Sequence, residues 1–461
     1  MKKYLSKVSA FLLIIGGILR VAGTGAAALW FDEADLLHTS SLPFLSLFSE
    51  PTDNSGDLLL EIILRPLLAL SHSVWILRLP SMLAGLVSLW LVWKLMDRLE
   101  FTLRQQIIAA ALAAFLPGLL WMAQDARSYS LLTCLFLAAL WFAVDGKWIG
   151  LLAAGGLTIY AHKTGTVCAL TAIGVFAYLH PKELKKLALI VLGIILAWVP
   201  AMLNMFGEYS IAQPWQPNIT GSSFMMSIIH AIWPILFKDP FTYLVGFLFL
   251  FMTVLLLFSR KTDNGRMVSL AAWIFPLSGL FFFSTFTHNN VIMYRTLMPM
   301  LFPFAIWLGW ELGRDRNFGD FMTGLWAIAI IAGLITFNPA DRGGHLDQIT
   351  SEIRSQWRTG DSLIYTAATV GVPFDFYLSD LPHSWDGTLQ DPFLSYPSIP
   401  RQNTVTGTPL RSWVIVPEDP LITPGEQATM NDLTNHQEPI YTIRYIQAAP
   451  INVYLVEKPW K

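Results

Sequence analysis

The sequence predicts a polytopic α-helical membrane protein of about eleven transmembrane helices, followed by a small C-terminal extracytoplasmic α/β domain. Three observations lead there. Hydrophobic residues make up 54% of the 461 and charged residues only 13%, with a mean hydropathy of +0.51. A soluble domain carries about 25% charged residues. Apolar runs close to the roughly 20 residues that cross about 30 Å of hydrocarbon recur as far as residue 337. From about residue 340 the chain turns polar and rich in proline and glycine, and no further run follows.

The first run, MKKYLSKVSAFLLIIGGILRVAG, has the basic start and apolar core of a signal peptide. No small-residue cleavage pattern follows cleanly, so it is read as a retained signal-anchor helix. Candidate spans lie near 8–28, 74–93, 106–122, 130–144, 148–161, 164–179, 187–205, 241–259, 267–286, 296–312 and 321–337. The fourth to sixth are short. With the N-terminus in the cytoplasm, the inner segments hold fifteen lysines and arginines, among them Lys2, Lys94, Lys147, Lys182, Arg260 and Arg314. The outer loops hold six: Arg65, Arg78, Arg127, Lys163, Lys238 and Arg295. That bias follows the positive-inside rule. An odd number of spans then puts the tail outside, in a multi-pass plasma-membrane protein.

The expected division is a transmembrane domain over 1–340 and an outer domain over 341–461. In the tail, ITSEIRSQWRTGDSLIYTAATVGVPFDFYL reads as helix, strand, helix. RSWVIVPE, YTIRYI and NVYLVEK read as strands. The net charge of −2 argues against nucleic acid as a partner. The two cysteines, Cys134 and Cys168, sit inside apolar runs and give neither a disulfide framework nor a zinc spacing.

Just after the first run comes LWFDEADLLHTS (29–40), with Asp32, Glu33 and Asp35. In this topology it shares the outer face with QDARSY (124–129), HKTG (162–165) and THNNVIMYR, which ends at Arg295. The run 148–161 spans only about 21 Å as a helix, so the turn carrying His162 and Lys163 is recessed below the outer surface. Ionisable groups at such depth cost about 2.5–3.5 kcal/mol on insertion scales and face a cavity or a partner. A carboxylate there can accept the proton of an attacking hydroxyl. Arginine, lysine and histidine can hold an anionic phosphate, arginine in bidentate fashion. The physical reading is transfer chemistry between a phospholipid-like donor and an extracytoplasmic acceptor.

The motifs resemble a family. W-x-D-E-A after the first helix, RLPS (78–81), A-R-S-Y (126–129), a short helix pair around a histidine, and YRTLMPMLFP (294–303) follow in order. This order is similar to the protein O-mannosyltransferase and aminoarabinose-transferase superfamily, which are integral-membrane glycosyltransferases of the C-type fold that use polyprenyl-phosphate sugars. The resemblance covers residues 1–340 and implies a polyprenyl-phosphate sugar donor and inverting transfer to an extracytoplasmic protein, lipid or glycan. It implies that Asp32 is the general base on the acceptor hydroxyl and that Glu33 positions the acceptor. It places Asp125, Arg127 and Tyr129 near the donor, and His162, Lys163 and Arg295 where they contact the donor phosphate. One departure stands out: EPTDNSGDLLLEIILRP lacks the proline pair many relatives carry after the acids, which leaves the acceptor pocket and any divalent-metal site open. Asp53, Asp57 or Glu61 are the acids available there.

Each motif has a plainer reading beside it. Asp32 and Glu33 suit the N-terminus of a helix simply as anions, and Asp35 reads as solvated. Asp125 and Arg127 could pair only to fix their loop, and Tyr129 could belong to an interfacial aromatic belt. His162 and Lys163 could occupy a solvated turn, and Arg295 could be an interface anchor. Arg78 reads as structural, and Arg20, inside the first run, requires a buried partner. A transporter or flippase of a lipid-linked or polar solute is the competing function. It would place ionisable or broken-helix features near the midplane in two related halves, and no such halves are visible. A non-catalytic scaffold is a third reading, which the adjacent acids disfavour.

Overall fold

The computed structural model describes residues 7–41, 43–44, 58–209, 221–234, 263–287, 291–314, 317–339, 345–365, 368–385, 411–417, 439–443 and 451–456, with scattered positions between 246 and 256. The chain forms two compact units. The first comprises Met1–Thr24 and Asp53–Asn338, the second Gly25–Thr52 and Pro339–Lys461. The expected split near residue 340 thus has a companion. The acid-bearing stretch after the first helix packs with the C-terminal residues, and Ala28, just ahead of it, is buried in their core.

In the first unit the helices are α1 (Lys7–Gly23), α3 (Leu58–Leu68), α4 (Val74–Arg98), α5 (Leu103–Phe115), α6 (Pro117–Ala123), α7 (Tyr129–Val144), α8 (Trp148–Ala161), α9 (Gly165–Leu179) and α10 (Leu184–Tyr209). They continue with α11 (Gly221–Ile232), α12 (Asn264–Thr287), α13 (Tyr294–Leu297), α14 (Leu301–Arg314) and α15 (Asn317–Thr336). The intervening α2 belongs to the second unit. Three described helices are long and apolar enough to cross a membrane: Val74–Arg98, Asn264–Phe286 and Asn317–Thr336. The short helices α7, α8 and α9 run over the expected fourth to sixth spans, with 16, 14 and 15 residues. The expected run at 241–259 lies almost wholly outside the described residues.

Two expected spans are broken instead of continuous. The run at 106–122 divides into α5 and α6, bent by 53°. Pro117 is the cause, since it has no N–H for the carbonyl four residues back and its ring crowds that carbonyl. The run at 296–312 begins as the single turn α13, passes through a 3-10 turn over Met298–Met300, and only then becomes α14. Pro299 sits in that turn and again withholds a donor.

Close packing explains where α5 sits. Its Ala-rich sequence presents little bulk to its neighbours α1 and α14. A Cβ at Gly309 of α14 would lie 2.6 Å from the Cα of Ala109, and one at Gly16 of α1 2.7 Å from the Cβ of Ala114. Small residues at both crossings let the backbones meet, as helix pairs in an apolar setting require.

The Pro117 break leaves α5 with a buried carbonyl end, and Arg20 of α1 meets it. Its Nη2 donates to the Ala113 carbonyl at 2.9 Å and Nη1 to the Ala114 and Gly16 carbonyls at 3.2 and 2.8 Å. Ala113 is the residue whose helical donor Pro117 lacks. The buried partner required of Arg20 is therefore a helix end with its negative dipole, not an acid.

The second unit contains α2 (Phe31–Ser41), α16 (Leu346–Gln356) and α17 (Ala368–Leu378) with a five-stranded mixed sheet. Its strands are β1 (Asp361–Tyr365), β2 (His383–Trp385), β3 (Arg411–Pro417), β4 (Tyr441–Ile443) and β5 (Ile451–Val456), in the order β2-β1-β3-β5-β4. β1 is parallel to β2 and β3, with Leu363 opposite His383 and Trp413; β5 is antiparallel to β3 and β4. The expected helix, strand, helix over 349–378 is borne out as α16, β1 and α17, whereas β2 is not anticipated. β2 has three residues, too few for a periodicity to show. One face of the sheet carries Leu363, Tyr365, Trp413, Ile415, Ile451 and Val453 against Leu346, Ile353, Phe374 and Leu378 of the helices. Arg411 clamps the start of β1 through both oxygens of Asp361, at 2.9 and 2.6 Å.

Arg20→Met should lower the unfolding free energy of the lipid-embedded protein by about 3 kcal/mol, as charged hydrogen bonds to buried groups are lost. In a Pro117→Ala background the Ala113 carbonyl regains a helical donor, so the same substitution should cost less. Thermal unfolding of the two single variants and the double variant in nanodiscs measures the difference.

Candidate active site

The loop QDARSY is built by its neighbours. α6 ends at Ala123, and the backbone turns through Gln124–Ser128 before α7 begins at Tyr129. Gln124 donates its side-chain amide to the Leu19 carbonyl at 2.8 Å. Ser81, the serine of RLPS, donates to the Arg127 carbonyl at 2.9 Å, and Ser130 donates back to the Ser81 carbonyl at 2.7 Å. Arg78 of the same motif is fully buried and donates to the Thr24 carbonyl at 2.9 Å, in keeping with its structural reading. Thr24 in turn donates to the Arg20 carbonyl at 2.7 Å. The loop is thus held by α1, α4 and α7 at once. Asp125 and Arg127 are both buried in it.

The HKTG turn between α8 and α9 is as tightly made. A Cβ on Gly165 would fall 1.8 Å from the Thr158 carbonyl oxygen, so only glycine fits there. The Gly165 N–H donates to the His162 carbonyl at 2.7 Å, and the Thr158 hydroxyl donates to the Gly165 carbonyl at 3.0 Å. The turn tucks His162 inward, where it is only 4% exposed, while Lys163 is half-buried. The solvated-turn reading therefore fails for His162.

The two loops meet. The Tyr129 and His162 rings lie 5.1 Å apart, and the Arg127 guanidinium sits 5.9 Å from the centre of the Tyr129 ring. Burial first, then the charges of Lys163 and Arg127, push the His162 imidazole well below its usual range. It is neutral near pH 7. Its tautomer follows from the hydrogen bonds. The Thr164 backbone N–H, which can only donate, points at Nδ1 at 3.1 Å, and the Thr164 hydroxyl lies 2.8 Å from the same atom. Nδ1 is therefore the acceptor, and the ring hydrogen is on Nε2. A cluster of two cations, one phenol ring and one imidazole N–H can receive an anionic oxygen group.

Arg295 lies on the single turn α13, half-buried, with its guanidinium 5.6 Å from the Tyr294 ring centre. Thr296 fixes that turn by donating to the Val291 and Met293 carbonyls at 2.7 and 2.8 Å. The 3-10 turn that follows packs against α7, the helix that starts with Tyr129.

The acids belong to the second unit. Trp30 starts α2 by accepting from the Glu33 and Ala34 N–H groups at 3.1 and 3.0 Å. Asp32 and Glu33 fall in the first turn of that helix, where its dipole favours negative charge. Asp32 is partly exposed and Glu33 is buried. Asp35 is also buried, at 3% exposure. The expectation that it is solvated is wrong, because its side of α2 turns inward with Leu36. Of the acids considered for the stretch after α2, Glu61 is buried on α3; Asp53 and Asp57 lie outside the described residues. Among the described residues no three or more His, Cys, Asp or Glu side chains gather as a metal site.

Sequence reasoning passed over Thr164, Ser81 and Ser130. Ser81 is visible in RLPS and Ser130 lies one residue past ARSY, but nothing in sequence shows that Ser81 bonds the Arg127 backbone or Ser130 the Ser81 backbone.

An unfolded histidine titrates near pH 6.5, while the folded His162 stays neutral below it. Stability is then fully present above about pH 6.5 and falls as the pH drops, since only the unfolded chain takes up the proton. One such group contributes up to about 1.4 kcal/mol per pH unit. His162→Gln should remove that dependence, read as a shallower fall of the unfolding midpoint between pH 7 and 5.

No protein-family model and no curated protein matches the chain. Among solved structures it is similar to ArnT from Cupriavidus metallidurans bound to undecaprenyl phosphate, with a TM-score of 0.57 at 13% identity over 96% of this chain and 97% of that one. ArnT in the apo state gives a TM-score of 0.48 at the same identity and coverage. At this identity the likeness to the undecaprenyl-phosphate-bound structure is one of fold. The resemblance read from the sequence, to C-type membrane glycosyltransferases, is borne out at that level, and the likeness extends through the C-terminal part of the chain.

Proposed function

We propose that the protein transfers a sugar from a polyprenyl-phosphate donor to a hydroxyl of an extracytoplasmic protein, lipid or glycan, with inversion. The observation that carries the proposal is the buried meeting of Arg127, Tyr129 and His162, with the half-buried Lys163 next to the histidine. The fold of the chain lends support, since ArnT, which shares it, was crystallised with undecaprenyl phosphate.

In this reading the acceptor oxygen attacks the anomeric carbon while the Asp32 carboxylate takes its proton. The bond from the anomeric carbon to the phosphate oxygen breaks, and its electron pair leaves with the polyprenyl phosphate. A diester with one negative charge becomes a monoester with two. Arg127, Lys163 and Arg295 stabilise the added charge, which is where fixed cations help a transition state most. The neutral His162 donates Nε2–H to the same phosphate, and Tyr129 lines the donor side beside Asp125. Glu33 orients the acceptor from the same helix turn as Asp32. The membrane arrangement that goes with this chemistry is eleven spans, a cytoplasmic N-terminus and an outer domain over 341–461 in the plasma membrane.

Protein in nanodiscs, given radiolabelled polyprenyl-phosphate hexoses and pentoses with an envelope acceptor extract, should move label to acceptor. Asp32→Asn should lower kcat by about 100-fold or more, the range of a lost general base, and leave undecaprenyl phosphate binding intact. Arg127→Ala should weaken that binding by about 10- to 100-fold, as expected for a charge-assisted hydrogen bond. Passage of intact lipid-linked sugar across the bilayer without transfer would replace the enzyme with a flippase.

A further inference from the structure

We infer that the C-terminal α/β domain is the mount that positions the acid-bearing helix α2, and that Tyr377 is the positioning residue through which it does so. The inference rests on the role proposed for Asp32. α2 has 11 residues and little hydrophobic asymmetry, too short to be stable alone in water. Its order comes from what it packs against, and within the second unit that is α17. The segment leading into α2 is threaded into the domain's own core. Ala28 is buried with Leu346, Ile353, Trp413 and Phe374, and Leu29 is fully buried. The Leu29 N–H donates to the Tyr377 hydroxyl at 2.9 Å, across 348 residues of sequence.

Tyr377 is itself fixed from behind. Its ring packs against the same core. Its carbonyl accepts from Arg354 of α16 at 2.6 Å, and that guanidinium also pairs with Asp380 at 2.9 Å. The hydrogen bond at Leu29 falls three residues before Asp32, so it sets where α2 begins and hence the direction of its first turn. A loop and short helix placed only by their own sequence would hold a general base poorly, and misplacement of about 1 Å costs roughly 100-fold in rate.

The test uses the full chain in nanodiscs. Tyr377→Phe keeps the ring and removes only the hydroxyl. Ala28→Arg unseats the segment from its other side without changing residues 339–461. In each variant, amide hydrogen exchange should rise over residues 29–41 while β1, β3 and β5 keep their protection. kcat should fall by roughly 10- to 100-fold with the KM for the labelled polyprenyl-phosphate sugar unchanged. The double variant should be little worse than either single one. Unchanged exchange over 29–41 in both variants, loosening of the whole sheet in both, or additive losses would overturn the mount. Asp32→Asn run in parallel separates the two ideas. Full activity in that variant removes the base and the kinetic arm, and the exchange arm then decides the mount alone.

Discussion

A helix that stops in an apolar interior leaves carbonyls with no water to bind them, and each must find a donor from the protein. Here Pro117 stops α5, and Arg20 supplies the donors to Ala113 and Ala114. The approach to the QDARSY loop follows from that arrangement, and Ser81 then holds the loop at Arg127. The bend sends α6 off at 53°, the chain reverses at Gln124–Ser128, and the same stretch of α1 that carries Arg20 also holds Gln124 through the Leu19 carbonyl. A buried guanidinium is costly unless its donors are used. This one is placed where a broken helix offers acceptors of partial negative charge.

The site shows how cations can be gathered without an adjacent acid doing all the balancing. Keeping His162 neutral removes one positive charge from a place that already holds Arg127 and Lys163. Thr164 completes the device by occupying Nδ1, so the remaining hydrogen faces away on Nε2. The glycine of HKTG matters for the same reason, since any side chain there would push the turn off the Thr158 carbonyl and take His162 with it. The tautomer is set within these four consecutive residues, while the geometry also needs Thr158 and the charge also needs burial and Arg127.

The second unit has a different logic. Its sheet is held by alternation, with two apolar faces and a buried Asp361–Arg411 pair at the first strand. Residues 53–338 separate its two parts in the sequence, yet Ala28 is as much part of its core as Phe374, and the Leu29 N–H bonds to Tyr377. A chain division drawn at one point in the sequence cannot express this.

The sequence by itself determined the membrane class, the positions of most helices and the strands β1, β3, β4 and β5, because hydrophobic runs and period-two alternation are local signals. The motifs WFDEAD, RLPS, ARSY and HKTG also stood out in it, and Arg20 showed itself as a charge that required a partner. Only the tertiary structure decided which partner, that Pro117 bends its span instead of ending it, that Asp35 turns inward, and that α2 belongs with residues beyond 339. Those outcomes depend on which carbonyls and faces are left over after the local elements form. Pairings across 94 or 348 residues leave no periodic trace in the chain that makes them.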